Sequence, residues 1–252
     1  MCDDAVVAAT AWSVKHGRLA VAGSFGDVTL HHHPVVQVSI GFGPDMSLHT
    51  ASGARLRCRL VVIASGAKHA LHTGDSPALS AYLRPDTGPG AHLNELCRGG
   101  GDGVWAVEPE AGFVERVAEA VSTDGLDHAV DMVLAQLLPG VADGTATHPQ
   151  LRQAVDLLQA RIPLTTDLGS VARAVALSPD YLGRLFARQA GTSFSATVRW
   201  LRLMVAFEHL TGGASVTDAA HLAGFADGAH ATRTCRELTG AAPRDLHRAL
   251  GQ

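Results

Sequence analysis

The 252-residue sequence predicts a multidomain chain, all-β in its N-terminal part and all-α in its C-terminal part. Three observations carry that expectation. Residues 20–84 alternate short apolar runs with glycine-containing turns, the pattern of an all-β barrel or jelly roll. From Pro109 onward the apolar spacing changes to three and four residues, the period of a helix. Charge divides the same way. Residues 1–147 hold 9 Lys+Arg against 16 Asp+Glu, and residues 148–252 hold 11 against 8, so a net charge of −4 conceals balances of −7 and +3.

The β part is read from "LAVAGSFGDVTLH", "VVQVSIGFG", "MSLHTASGARLRCRLVVIASG" and "ALSAYLR", which suit strands of about five to eight residues. "PDTGPG" (85–90) and "CRGGGDG" (97–103) read as loops. "PEAGFVERVAEAV" and "LDHAVDMVLAQLL" then read as two helices, a hairpin, and "PGVADGTATHP" (139–149) as a linker. The expected units are therefore residues 1–105, a helical connector at 106–147 suited to dimer contacts, and a helical domain at 148–252.

Composition narrows the function classes. Hydrophobic content of 46% supports real cores. The first residues, "MCDDAVVAATAW", lack the basic lead of a secretory signal, and no apolar run approaches the roughly 18 residues of a membrane helix. The expectation is a cytoplasmic protein with no membrane partner. Cys2, Cys58, Cys97 and Cys235 form no C-x-x-C pair and read as buried thiols. No Ser-His-Asp order, phosphate-binding glycine loop or H-E-x-x-H motif points to an enzyme.

Two segments of the last hundred residues echo each other: "LGSVARAVALSPDYLGRLFARQAG" and "VTDAAHLAGFADGAHATRTCRELTG". Ala172 corresponds to Ala220, Arg184 to Arg233 and Gly191 to Gly240. Each copy reads as a helix, a short turn and a second helix, with a small residue where the helices cross. Gly224 suits a left-handed turn; Ala176, its counterpart, suits it less. Ser178–Pro179 and "SVTD" (215–218) are N-terminal capping signals. Between the copies, "SFSATVRWLRLMVAFEHLTGG" places Phe194, Val198, Leu201, Val205 and Leu210 on one face of a helix of about 18 residues, roughly 27 Å long. Such a strut can hold two helices near successive major-groove openings about 34 Å apart. All eleven cations of this region are arginine, whose fork suits phosphate and guanine.

These motifs resemble the DNA-binding domain of AraC/XylS-type bacterial transcription regulators over essentially all of 148–252. The resemblance rests on "VARAVALSPDYLGRLFARQAGTSFSATVRWLRL" and "SVTDAAHLAGFADGAHATRTCRELTGAAPRDL". It implies a sequence-specific regulator whose second helices enter the major groove of promoter DNA. The first copy would present Asp180, Tyr181, Gly183, Arg184 and Arg188, and the second Gly228, Ala229, Thr232 and Arg233. Arg184 and Arg233 are the candidates for guanine edges, and Ser193 and Thr232 for phosphate. The family usually carries large apolar residues where this chain has Ala231 and Cys235. The second unit is therefore expected either to be loosely packed or to depend on other residues for its core, with the first unit dominating readout. RNA polymerase and a second copy, joined through the N-terminal part, are the implied protein partners.

The N-terminal part more loosely resembles the cupin-like sensing domain that many such regulators carry. "HHHPVVQ" (31–37) and "ASGAKH", ending at His69, match the metal-binding cupin pattern in part. On a regular strand His31 and His33 would share a face and turn His32 outward, unless Pro34 kinks the strand and breaks that parity. Gln37 replaces a carboxylate and weakens the case for a hard cation. His31, His33, Gln37 and His69 are therefore candidates for a small-molecule effector pocket. The three histidines are also candidates for a metal, although no cofactor is required. The rivals are a cupin-type metalloenzyme with a helical accessory domain, and a pH or redox sensor using the histidines or Cys235.

Overall fold

The computed structural model describes residues 8–15, 18–24, 28–43, 46–140 and 148–241. Among the described residues nine antiparallel strands build the N-terminal domain: β1 (Ala8–Lys15), β2 (Arg18–Ser24), β3 (Val36–Gly41), β4 (Ser47–Thr50), β5 (Arg55–Arg57), β6 (Leu60–Ile63), β7 (His69–His72), β8 (Ala78–Leu83) and β9 (Val104–Val107). Six pair in the order β1-β2-β8-β3-β6-β9, and three in the order β5-β4-β7. Three helices follow or interrupt them: α1 (Gly88–Arg98), α2 (Phe113–Thr123) and α3 (Leu126–Leu137).

Side chains along β6 show how the layers stack. Leu60 and Val62 join Val38, Ile40 and Leu79 under the apolar faces of α2 and α3. Val61 and Ile63 point the other way, against Met46 and against Leu48 and Leu71 of the small sheet. A strand buried on both faces needs apolar residues throughout, so this one reads as a continuous run instead of an alternation. Arg18 fastens β2 to α3 through Asp127 at 2.9 Å and Asp131 at 2.5 Å. The helices expected as a connector thus build part of the N-terminal core.

The barrel expectation is met only as a sheet-rich domain. Among the described residues β1 and β9 stand at the margins of an open six-stranded sheet, and the small sheet remains separate. Helix α1 spans the segment between the two expected loops and takes in Gly88–Gly90 of the first and Cys97–Arg98 of the second, and the first expected strand ends at Ser24. Leu93 and Cys97, one helical turn apart, bury the inner face of α1. Residues 141–147 of the expected linker lie outside the described residues.

The described residues of the C-terminal domain form helices and no strand: α4 (Pro149–Arg161), α5 (Leu168–Ala174), α6 (Pro179–Leu185), a π-helical turn at Phe186–Ala190, α7 (Phe194–Thr211), α8 (Val216–Leu222) and α9 (Gly228–Thr239). Its two cores divide along α7. Phe194, Val198 and Leu201 pack with α4, α5 and α6, whereas Trp200, Leu203, Ala206, Phe207 and Leu210 pack with α8 and α9. The single apolar face expected of this helix is therefore two faces, because the helix is buried on two sides at different heights.

Candidate nucleic-acid interface and histidine cluster

Each helical pair is set by its caps. Ser178 Oγ accepts from Tyr181 N at 3.2 Å, and Ser215 Oγ accepts from Asp218 N at 3.1 Å while donating to the Asp218 carboxylate at 2.7 Å. Asp227, which the sequence motifs did not single out, caps α9 by accepting from His230 N at 2.6 Å. Ala172 and Ala220 are fully buried where the helices of each pair cross. The turns agree as well: Gly224 has φ +82°, and Ala176 takes the same left-handed region at φ +57° despite its β-carbon.

The positions implied for DNA contact lie largely outward. Asp180, Tyr181, Arg184, Arg188, Ser193, Ala229 and Arg233 are exposed; Gly183, Gly228 and Thr232 are half-buried. The Arg184 guanidinium lies 5.7 Å from the centre of the Tyr181 ring, a cation–π contact that holds the arginine on the outer face of α6. Thr232 donates its hydroxyl proton to Gly228 O at 2.8 Å, leaving it no proton for a phosphate in this arrangement. Ser193 caps α7 by accepting from Ala196 N at 3.1 Å. Arg199 pairs with Glu237 at 2.5 Å and so ties the strut to α9.

The small residues Ala231 and Cys235 do not leave the second unit hollow. Phe207, Phe225, Leu238 and Trp200 fill its core, and Val35 of the N-terminal domain joins the same cluster with Tyr82 at its edge. Cys235 donates to Ala241 O at 3.3 Å. Burial pushes the Cys58 thiol up to about 11 and the Cys97 thiol up to about 12, which leaves both largely protonated and unreactive near neutrality.

Val35 belongs to a wider seam between the domains. Asn94 of α1 donates to Gln189 O at 3.1 Å, and Arg98 donates to Arg188 O and Ala187 O in the π-helical turn that follows α6. Arg84 bridges the buried Asp86, at 2.6 Å, and Asp156 of α4, at 2.7 Å. Thr29 donates to Gly240 O at 3.0 Å, beyond the end of α9. The N-terminal domain thus holds the C-terminal ends of both second helices and leaves the outer faces of their first turns exposed. Arg188 and Gly240 stood out in the sequence for other reasons, but no motif marked any of these residues as part of a seam, since contacts between residues so far apart follow no local period.

At the centre of the seam lie the histidines. His31, His33 and His69 are only 5%, 1% and 0% exposed, whereas His32 is half-buried, as the H-x-H parity requires. One ring nitrogen from each lies within 4.8 Å of the others. The parity arises without a regular strand: His31 pairs with His69 as an isolated bridge. Nδ1 of each ring donates to a backbone carbonyl: Thr29 at 2.8 Å, Val35 at 2.9 Å and Ala67 at 2.9 Å. A carbonyl only accepts, so Nδ1 carries the proton in each neutral ring and Nε2 presents a lone pair. Burial holds all three well toward the neutral form, with His31 lowered to about 4 and His33 and His69 also lowered; His33 and His31 add like-charge repulsion at His69.

Gln37 joins these rings to the sheet. Its Oε1 lies 2.9 Å from His33 Nε2 and 3.0 Å from His69 Nε2, and its amide nitrogen donates to Ser39 Oγ at 2.9 Å. Ser39 in turn meets Ser80 at 2.7 Å. The sequence candidates His31, His33, Gln37 and His69 are thus gathered into one buried cluster. Trp200 of α7, which was not among them, packs 5.8 Å from His33 and 5.7 Å from Tyr82, centre to centre.

Two capped helix pairs on one stiff strut, with arginines at equivalent outward positions, define a double helix-turn-helix module. More particularly, residues 171–249 match the family model described as "Helix-turn-helix domain". The chain is 31% identical over 105 residues to the HTH-type transcriptional regulator GlxA of Rhizobium meliloti (strain 1021), a match covering 41% of this chain and 32% of that relative. The chain therefore spans about a third of the length of this curated relative. Solved structures of ToxT from Vibrio cholerae are similar across both domains. A substituted apo form superposes with a TM-score of 0.67 at 10% identity, covering 94% of this chain and 98% of that one. The unsaturated fatty acid-bound form gives 0.63 at 11%, covering 94% and 97%. At such identities the likeness shows a shared fold. Among the described residues no helix is long and apolar enough to cross a membrane.

Proposed function

We propose that this protein is a sequence-specific, DNA-binding transcription regulator of the AraC type. The observation that carries the proposal is the paired presentation of α6 and α9, with Arg184 and Arg233 exposed at repeat-equivalent places on an 18-residue strut. Each guanidinium can fork onto a guanine edge, for about 1–3 kcal/mol of discrimination. The sheet-rich N-terminal domain is the sensing part, as the looser cupin resemblance implies. Because it grips the ends of both reading helices, an effector that binds the docked and undocked arrangements differently alters DNA affinity by linkage.

A groove of about 720 Å³ opens where the seam meets the first unit, lined by His32, Gly66, Ala187, Phe194 and Arg199 among others. Its size suits an organic effector. The fatty acid in one ToxT structure supports a small-molecule effector for this fold. Promoter DNA, RNA polymerase and a second copy joined through the N-terminal part, all in a bacterial cytoplasm, complete the reading. Selection of bound sequences from a random duplex pool by the full chain tests it. A recurring motif rich in guanine contacts is expected, and a pool unenriched at low ionic strength would overturn it.

A further inference from the structure

The Gln37 amide meets the histidines the wrong way round for a neutral network. Its carbonyl oxygen faces two Nε2 lone pairs at 2.9 and 3.0 Å, so acceptors converge on an acceptor. Two arrangements relieve that conflict. Turning the amide end for end would let its NH2 donate to both rings while its oxygen accepts from Ser39. Alternatively, a cation among the four atoms would satisfy every lone pair with the amide as it stands.

We propose that His31, His33 and His69 bind a divalent transition metal of the zinc class, with Gln37 Oε1 as a fourth donor, and that this metal is an effector read at the domain seam. Three imidazoles and an amide suit zinc, nickel or copper, while the lack of a carboxylate disfavours magnesium and calcium. Each ring already has its Nδ1–H anchored on a backbone carbonyl, the outer-shell bond that fixes a metal-binding imidazole in its tautomer. The cluster is buried, so the ligands are held by packing.

The position of the site gives the metal leverage. Around an ion with bonds of about 2.0–2.2 Å the donors stand roughly 3.3 Å apart. Nitrogens now spread over as much as 4.8 Å must therefore draw together. His33 lies against Trp200 of the strut, and the backbone N–H of His32 reaches Glu237 O of α9 at 3.5 Å. A β-carbon on Gly240 would stand 2.9 Å from His31 Nδ1, which places this ring directly beside the end of α9. Contraction of the rings is thus felt on both elements that carry the second helix-turn-helix unit. This regulatory step rests on the DNA-binding function proposed above; the metal site itself does not.

The test uses the full chain, stripped with chelator and titrated with Co2+ and then Zn2+. One Co2+ per chain with the visible bands of tetrahedral coordination, displaced by Zn2+, is expected, together with a change in fluorescence that Trp200→Phe removes. His33→Ala and His69→Ala should weaken Zn2+ binding by more than the roughly 10–100-fold that loss of an outer-shell partner costs. Gln37→Glu, which keeps the shape and adds a negative charge, should tighten it. A folded chain that takes up no stoichiometric metal, or affinities equal in all these variants, would overturn the site. Zn2+ that binds without changing DNA affinity would overturn its role as an effector. A chain that binds Zn2+ but no duplex in either state would contradict the DNA-binding function and leave the site standing.

Discussion

Gly191, Gly213 and Gly240 each end a helical segment in the left-handed region and differ in what stands beside them. Beside Gly240 (φ +71°), an added β-carbon would lie 2.7 Å from Thr29 O and closer still to Val28 Cγ1. Beside Gly191 (φ +69°) it would lie 3.0 Å from Ser65 O, and beside Gly213 (φ +89°) it would meet nothing within 4 Å. Alanine at each position carries a strain of about 1–2 kcal/mol, less about 0.4–1 kcal/mol from the stiffer unfolded chain. Gly213→Ala should therefore cost about 1 kcal/mol. Crowding adds about 1–3 kcal/mol where the neighbour is fixed backbone, which places Gly240→Ala near 2–4 kcal/mol and Gly191→Ala between the two. Urea unfolding of the full chain, compared at constant slope, measures all three. Equal losses, or a reversed order, would mean that the N-terminal domain does not abut the ends of the reading helices.

Ala176→Gly should stabilise the chain by about 0.5–1 kcal/mol, since the left-handed turn already exists there; a loss of thermal stability would refute this. Arg84→Ala removes the partner of the Asp86 carboxylate, which is 2% exposed, and should cost about 3–5 kcal/mol, part of it recovered in the Arg84→Ala/Asp86→Ala pair. A pair no better than the single variant would show that the carboxylate does not depend on Arg84. Arg184→Ala should relax sequence preference more than Arg233→Ala in footprinting, because Gly228 and Ala229 offer little beside Arg233; the reverse order would place readout in the second unit. His31 has a folded value lowered to about 4 from 6.5, so the unfolded chain binds more protons between those values. Stability of the metal-free chain should be flat above about pH 6.5 and decline below it toward pH 4, by on the order of 3 kcal/mol from His31 alone. His33 and His69, also lowered, act in the same direction, and an acid limb unchanged in His31→Ala would contradict it.

Local signals in the sequence carried the helical domain well. The strut is 18 residues long as expected, Ser178 and Ser215 cap where their motifs stand, and Ala176 takes the turn that Gly224 takes in the other copy. Helix α1 was missed because its flanks, "GPG" and "RGGG", are turn-like, although Leu93 and Cys97 stand one turn apart. The histidine cluster was legible as a set of residues, since strand parity sorts His32 from its neighbours. Its placement beside Trp200 was not, because the strut and the sheet meet only in three dimensions. The same holds for Val35: an apolar residue after Pro34 reads as sheet core, yet it fills the space that Ala231 and Cys235 leave in the second unit.

Hydroxyl-radical footprinting of the full chain on its selected duplex would show whether α6 and α9 read DNA together. Two protected patches on one face, about 10–10.5 base pairs apart, are expected from helices held on a strut of roughly 27 Å. A single patch, or protection that vanishes at low ionic strength, would contradict paired reading.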